Sequence, residues 1–454
     1  MSKVLFEAFP EISAKQWRQK IQADLKGADY NDTLIWNSNE GIDVKPFYHA
    51  DDFNVLPDVS NARASQFRIC QTIFVANVDM SNKKALDALN RGAESIKFII
   101  PSEDVSLEKL LKNIDTALTP IFFDLQFLSS EFVKTIPIEN SVIFNDIIGH
   151  LVQTGNWFKN LKEDHAHFEA IVKTTQSVSI DLSLYQNAGA TMQQQLAYAL
   201  AQAAEYLHHL DGSLSTTAKQ KLQVHFTVSV GTNYFFEIAK IRALRVLWQS
   251  LASEFEINPN CHIFATPTKR NKTIYDYNTN LLRSTTECMS AILGGANTIC
   301  NMPYDAVYHK DNEFGERIAR NQLLILKNES YFDKVDNPAD GAYYIESLTS
   351  DLATKALEIF KDIEANGGLL KQLKEGTIQR KIKESAQQEQ QQFNEGSITL
   401  LGTNKHPNPE DRMKNELELY PFVKINPVKT LIEPLIAKRL AEHMEKERLD
   451  SEKN

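Results

Sequence analysis

The sequence predicts an α/β fold: a (β/α)8 TIM barrel with an extended N-terminal arm and a helical C-terminal extension. Three observations carry that prediction. Eight short runs rich in β-branched or aromatic residues follow one another between residues 56 and 350. Their starts lie about 21 to 46 residues apart, and no two-residue hairpin turn joins them, which leaves room for a helical crossover each time. Several runs are apolar without alternation, as expected of strands covered on both faces. Eight βα units in about 250 residues match a closed barrel; an open doubly wound sheet is the alternative the pattern leaves.

The elements follow in order. Residues 1–55 are read as the arm, 56–350 as the barrel and 351–454 as the extension. The strand runs are 72–76, 97–101, 121–125, 142–146, 178–182, 224–230, 262–266 and 298–301. After the fifth run, Leu196, Leu200, Ala203 and Leu207 recur at helical spacing; after the sixth, Tyr234, Ile238, Ile241, Leu244 and Trp248 do. In the extension, Gln387, Gln388, Gln390, Gln391 and Gln392 read as a polar helix or linker. Residues 396–409 read as a surface loop, and 437–453 as a charged final helix.

Composition narrows the function. The chain has 454 residues, 42% apolar and 24% charged, with a formal net charge of -10. An acidic chain of this kind is a poor ligand for the phosphate backbone of nucleic acid. Its cysteines, Cys70, Cys261, Cys288 and Cys300, form no CxxC pair, so a reducing compartment fits and zinc does not. The start lacks a signal-peptide pattern, and no apolar run approaches the ~20 residues of a membrane helix; a cytoplasmic protein is expected. There is no Gly-rich phosphate loop and no HExxH. Gly294-Gly295 reads as a tight helix-to-strand turn, and His165, His167 and the His208-His209 pair as solvated helix positions, not as a metal site. In a barrel the site lies at the C-terminal ends of the strands. Those ends carry Asp124, Asn145, Asp146, Asp181, Ser183, Ser229, Gly231, Thr232, Asn233, Thr266 and Asn301, a polar set poor in acid–base groups that work near neutral pH.

Several blocks resemble a known family. Trp17, Asp24-Leu25-Lys26-Gly27, Leu34-Ile35-Trp36 and the 40–48 run, Glu-Gly-Ile-Asp-Val-Lys-Pro-Phe-Tyr, are similar to the N-terminal arm of methylmalonyl-CoA mutase chains. Residues 185–191, 233–243, 317–322, 337–344 and 402–405 resemble further family blocks, so the likeness runs through nearly the whole chain in order. The resemblance implies a (β/α)8 substrate barrel with the CoA ester through its centre. It also implies radical interconversion of methylmalonyl-CoA and succinyl-CoA, with adenosylcobalamin supplying the radical.

The departures from the family shape the expectation. Where catalytic chains read Tyr-His-Met-Gln-Glu-Ala-Gly-Ala, this one reads Ser183-Leu184-Tyr185-Gln186-Asn187-Ala188-Gly189-Ala190, so the histidine that polarises the thioester carbonyl falls on Leu184. Arg-Gln-Tyr becomes Cys70-Gln71-Thr72, and Ile-Gln-Asn-Asp-Ile becomes Ile143-Phe144-Asn145-Asp146-Ile147. The arginine that meets the substrate carboxylate falls near Thr154. Thr-Gln-Ser-Leu-His becomes Ala296-Asn297-Thr298-Ile299-Cys300, and Arg-Asn-Thr-Gln becomes Arg320-Asn321-Gln322-Leu323. None of the 11 histidines stands in the Asp-x-His-x-x-Gly context of the family's cobalamin-binding flavodoxin-like domain, which is expected to be absent here. The family contains heterodimers with one such degenerate chain. The implied reading is a non-catalytic small subunit with no cofactor of its own, paired with a catalytic large subunit that binds adenosylcobalamin. In that family the arm wraps the partner; Trp17, Leu25, Leu34 and Trp36 are the contact candidates, with packing on their own barrel as the alternative. Two other readings remain open: an active substrate barrel working with a separate cobalamin-binding chain, and a free-standing barrel that binds an acyl-CoA without catalysis.

Overall fold

Eight parallel strands form the centre of the protein, in a computed structural model that describes residues 10–57, 59, 62–424 and 427–452. They are β1 (Arg68–Phe74), β2 (Ser95–Ile100), β3 (Ile121–Leu125), β4 (Ser141–Phe144), β5 (Ser177–Asp181), β6 (Gln223–Val230), β7 (Cys261–Pro267) and β8 (Thr298–Ile299). Their order in the sheet is β4-β3-β2-β1-β8-β7-β6-β5. The first strand pairs in parallel with the last, Arg68 opposite Thr298. That pairing makes a barrel; an open doubly wound sheet would leave both strands far from each other.

One seam, between β4 and β5, has no backbone ladder among the described residues, and side chains close it. The Asn145 amide donates to Ser179 Oγ at 2.7 Å, and Ser179 Oγ donates to Asn145 Oδ1 at 3.0 Å. The Asp181 amide donates to Asp146 Oδ2 at 2.8 Å. Asp146 also accepts from Gly149, Gln202 and Tyr206, so one carboxylate ties the end of β4 to β5 and to the helix Met192–Asp211. Burial still pushes its pKa up, because these donors do not fully replace water.

Long helices form the outer ring between and after the strands, and their ends are legible in the sequence. Thr191 and Gln194 make a capping box at the start of Met192–Asp211. Gly294 ends the helix Thr279–Leu293, and Gly295 takes φ +85°. A Cβ on Gly295 would stand 2.7 Å from Ala62 Cβ, so the turn expected there needs its glycine for space as well as for φ. The helix Tyr343–Ala365 runs across residue 350 and packs on Tyr234–Glu254 and Met192–Asp211. Arg242, almost fully buried, donates to Glu346 at 2.7 Å across that contact. Breaking such a pair would strand a buried charge.

The arm holds a helix, Ala14–Asp24, capped by Ser13 and Gln16, with no buried residue. It continues into a hairpin in which Trp36 pairs with Val44. The extension differs from expectation at its end: the last helix is Glu442–Ser451, not 437–453. The residues before it stay out of the helix because Leu435, Lys438 and Leu440 donate their backbone N–H groups to the Val152, Asn187 and Arg270 carbonyls. Residue 453 lies outside the described residues.

Candidate functional site

Alternation along the strands decides what fills the barrel. β3 sends Phe122 and Asp124 inward, β4 sends Phe144, and β7 sends Phe264. The three rings meet at the axis: Phe122 and Phe264 have centroids 5.1 Å apart, Phe122 and Phe144 5.8 Å, and Phe144 and Phe264 5.7 Å. Phe122 is 2% and Phe264 1% exposed. Cys70 and Cys300 complete this cluster, with Val142 packed against it. The barrel axis is therefore filled by the protein's own side chains.

Above the rings lies a charged layer. Lys97 on β2 stands 4.9 Å over the Phe144 ring and pairs with Asp124 at 2.8 Å. Burial pulls the Lys97 ammonium down, but Asp124 and Asp181 more than offset it, so its pKa is raised. Burial pushes Asp181 up to about 6, opposed by the hydrogen bond from Ser183 and by Lys97. These groups line a cavity of about 200 Å³ at the C-terminal mouth, together with Phe144, Asp146, His150 and Leu184. The His150 ring stacks on Phe158 at 3.5 Å and 12°.

A larger cavity of about 550 Å³ sits over the ends of β5 to β7, beneath the arm hairpin and the helix Thr377–Asn394. Its polar wall is largely self-paired: Lys240 donates to Gln186, Gln195 and the Ser229 carbonyl, and Arg270 pairs with Glu389 at 2.6 Å. A third, of about 1060 Å³, opens at the N-terminal end and is lined by His225, His262 and Arg68. Burial pushes His225 down to about 4, so it is neutral at physiological pH. Among the described residues no three His, Cys, Asp or Glu side chains converge as a metal site. No helix among them is long and apolar enough to cross a membrane.

The positions that the sequence singled out divide into groups. Cys70, Thr72, Phe144 and Cys300 come together inside the barrel, Thr72 Oγ1 lying 3.0 Å from Cys300 Sγ. Leu184 joins them at the mouth from the short helix Ser183–Asn187. Thr154 does not: it ends the helix Ile147–Thr154, exposed, bonded to the His150 and Asn156 carbonyls. Asn297 precedes β8 at the opposite end, where it accepts from Arg245 at 2.7 Å. Leu323 is buried in the helix Glu313–Asn328, in the layer outside the barrel. Of the arm candidates, Trp36 is 52% exposed and sets its edge against Phe236 at 5.9 Å; Trp17, 47% exposed, meets Phe47 at 6.3 Å. Leu25 and Leu34 are half-buried. Sequence reasoning missed Lys97, Phe122 and Phe264; a lysine inside the otherwise apolar run of β2 was the available signal.

The family model described as Methylmalonyl-CoA mutase matches residues 130–446. The chain belongs to the methylmalonyl-CoA mutase family. It is 34% identical to a methylmalonyl-CoA mutase small subunit from Porphyromonas gingivalis, over 99% of this chain and 78% of that one. It is 28% identical to a methylmalonyl-CoA mutase from Cereibacter sphaeroides, over 86% of this chain and 64% of that one. A methylmalonyl-CoA mutase large subunit from Propionibacterium freudenreichii subsp. shermanii is 31% identical over 56% of this chain, which is 36% of its own length. The chain thus spans less than two thirds of the length of some mutases it matches, and the family includes chains named as small and as large subunits.

Proposed function

We propose that this chain is the non-catalytic small subunit of a heterodimeric, adenosylcobalamin-dependent methylmalonyl-CoA mutase, with cofactor and substrate held by a large subunit. The observation that carries this reading is the filled barrel axis. Phe122, Phe144 and Phe264 occupy the path along which a mutase barrel would thread its CoA ester. The vestibule above them, about 200 Å³, falls below the ~300–1,000 Å³ of typical small-molecule sites. Among the described residues its lining carries the carboxylates Asp124, Asp146 and Asp181 against one cation, Lys97, an arrangement that disfavours the free carboxylate of a dicarboxylic acyl-CoA.

The polarising donor is missing as well. Leu184 faces the mouth and has no hydrogen to give to a thioester oxygen. The resemblance to the family puts cobalamin on an Asp-x-His-x-x-Gly histidine, and none of the 11 histidines of this chain, His150 included, stands in that context. What the barrel retains is packing, and in this reading it serves the complex through its shape and its arm. The exposed helix Ala14–Asp24 and the half-exposed Trp17 and Trp36 are the surface it offers to the partner.

The test is substitution at the mouth of this chain within a reconstituted heterodimer. Leu184→His restores the family's donor and is expected to leave kcat and KM of the complex unchanged. A change in kcat of tenfold or more, about 1.4 kcal/mol in the barrier, would place chemistry in this barrel and overturn the reading.

A further inference from the structure

The two cysteines inside the barrel have no part in that role. Cys70 lies on β1 and Cys300 directly follows β8. The register sets Arg68 opposite Thr298 and Ile69 opposite Ile299, so one further step sets Cys70 opposite Cys300. Neighbouring strands stand roughly 4.7–4.9 Å apart, inside the roughly 4.4–6.8 Å that the Cα atoms of a disulfide span. Both side chains point inward and pack in one cluster with Phe122 and Phe264.

The surroundings make the two sulfurs unequal. Thr72 Oγ1 lies 3.0 Å from Cys300 Sγ. The hydrogen bond from Cys70 favours the Cys300 thiolate; burial opposes it, and Thr72 and the Lys97 ammonium add support, holding its pKa below the ordinary thiol value. Burial and the neighbouring Cys300 hold the Cys70 thiol well above its ordinary value. Cys261 and Cys288 lack such a pairing, and burial raises both. Thr72, beside Cys300, is half-buried, while Cys70 and Cys300 keep 4% and 5% of their surface exposed.

We propose that Cys70 and Cys300 form a redox-active dithiol that a hydroperoxide converts to an intramolecular disulfide across the junction of β1 and β8. The Cys300 thiolate attacks the terminal oxygen of the hydroperoxide. The O–O bond breaks, the departing oxyanion takes a proton, and Cys300 becomes a sulfenic acid. The Cys70 sulfur then attacks the Cys300 sulfur; the S–S bond forms, the S–O bond breaks, and hydroxide leaves with the Cys70 proton as water. The two sulfurs together lose two electrons, which reduce the peroxide bond. The product staples the first strand to the last, where the barrel ring depends on the two-residue strand β8.

Thiol counting and peptide mapping of the folded chain, before and after hydrogen peroxide, test this. The expected result is a fall from four free thiols to two, joined Cys70 and Cys300 peptides, reversal by dithiothreitol and a higher melting temperature. In Cys70→Ser, Cys300 should accumulate as a sulfenic acid trapped by dimedone, while Cys261→Ser should change nothing. The proposal is overturned if all four thiols persist in the folded protein, or if Cys261 and Cys288 oxidise as fast as Cys300. Should Cys70→Ser fail to fold, the relative rates in the unaltered chain decide between these outcomes.

Discussion

Three phenylalanines carry the argument at the scale of single residues. Phe122, Phe144 and Phe264 come from separate strands yet touch at one point, which only barrel closure can arrange. Truncating one leaves a cavity that backbone on all sides cannot collapse into. Phe122→Ala is therefore expected to cost about 3–5 kcal/mol, read as a lower denaturant midpoint at unchanged slope; a cost under about 1 kcal/mol would mean the rings do not pack as described. The resemblance made Phe144 legible in the sequence as a substituted site position. Phe122 and Phe264 were not, because in runs such as Ile-Phe-Phe-Asp-Leu either face of the strand is apolar. Asp124 and Asp181 were legible as strand-end carboxylates, but the Lys97 ammonium that pairs with Asp124 was not, since nothing local in the chain shows which face of β2 that lysine takes.

At the scale of elements, the arm is held by a titrating contact. Glu40, at the tip of the hairpin, accepts from the Gln193 amide at 3.2 Å, in the first turn of Met192–Asp211. A helix N-terminus favours a carboxylate, and Lys240 lowers the pKa too, but burial dominates and Glu237 adds to it, pushing Glu40 up to about 7 from 4.5. Lys355 approaches the neighbouring Gly41 from the helix Tyr343–Ala365. A free arm would titrate near the ordinary value, so docking takes up a proton between the two. Docking is accordingly strongest at the acid side of that window, weakens as pH rises through it, and levels off above about 7. Hydrogen exchange in the arm, corrected for intrinsic rates, should be faster at about pH 8 than at about pH 5.5, and Glu40→Gln should remove the difference. Equal protection at both values in the unaltered chain would contradict this. Strands and crossover helices were legible because β-branched runs and 3.6-residue spacing are local. The non-helical 435–440 segment was not, because its hydrogen-bond partners lie in the barrel, far away in sequence.

At the scale of the whole molecule, the chain combines a well-packed barrel with surface left uncovered. The helix Ala14–Asp24 buries none of its residues, and Trp36 leaves half its area exposed beside Phe236. Aromatic anchors of this kind dominate interfaces, so Trp36→Ala is expected to weaken association with a large subunit by roughly tenfold or more while the isolated chain keeps its melting temperature. An unchanged dissociation constant would move the contact elsewhere. The measurement that tests the central claim most directly is mutase turnover of the purified chain in three mixtures. Adenosylcobalamin is added alone, with a catalytic large subunit, or with an isolated cobalamin-binding chain. Turnover with the large subunit and with nothing else is the expected result; turnover with only the small cobalamin-binding chain would show that this barrel is armed after all.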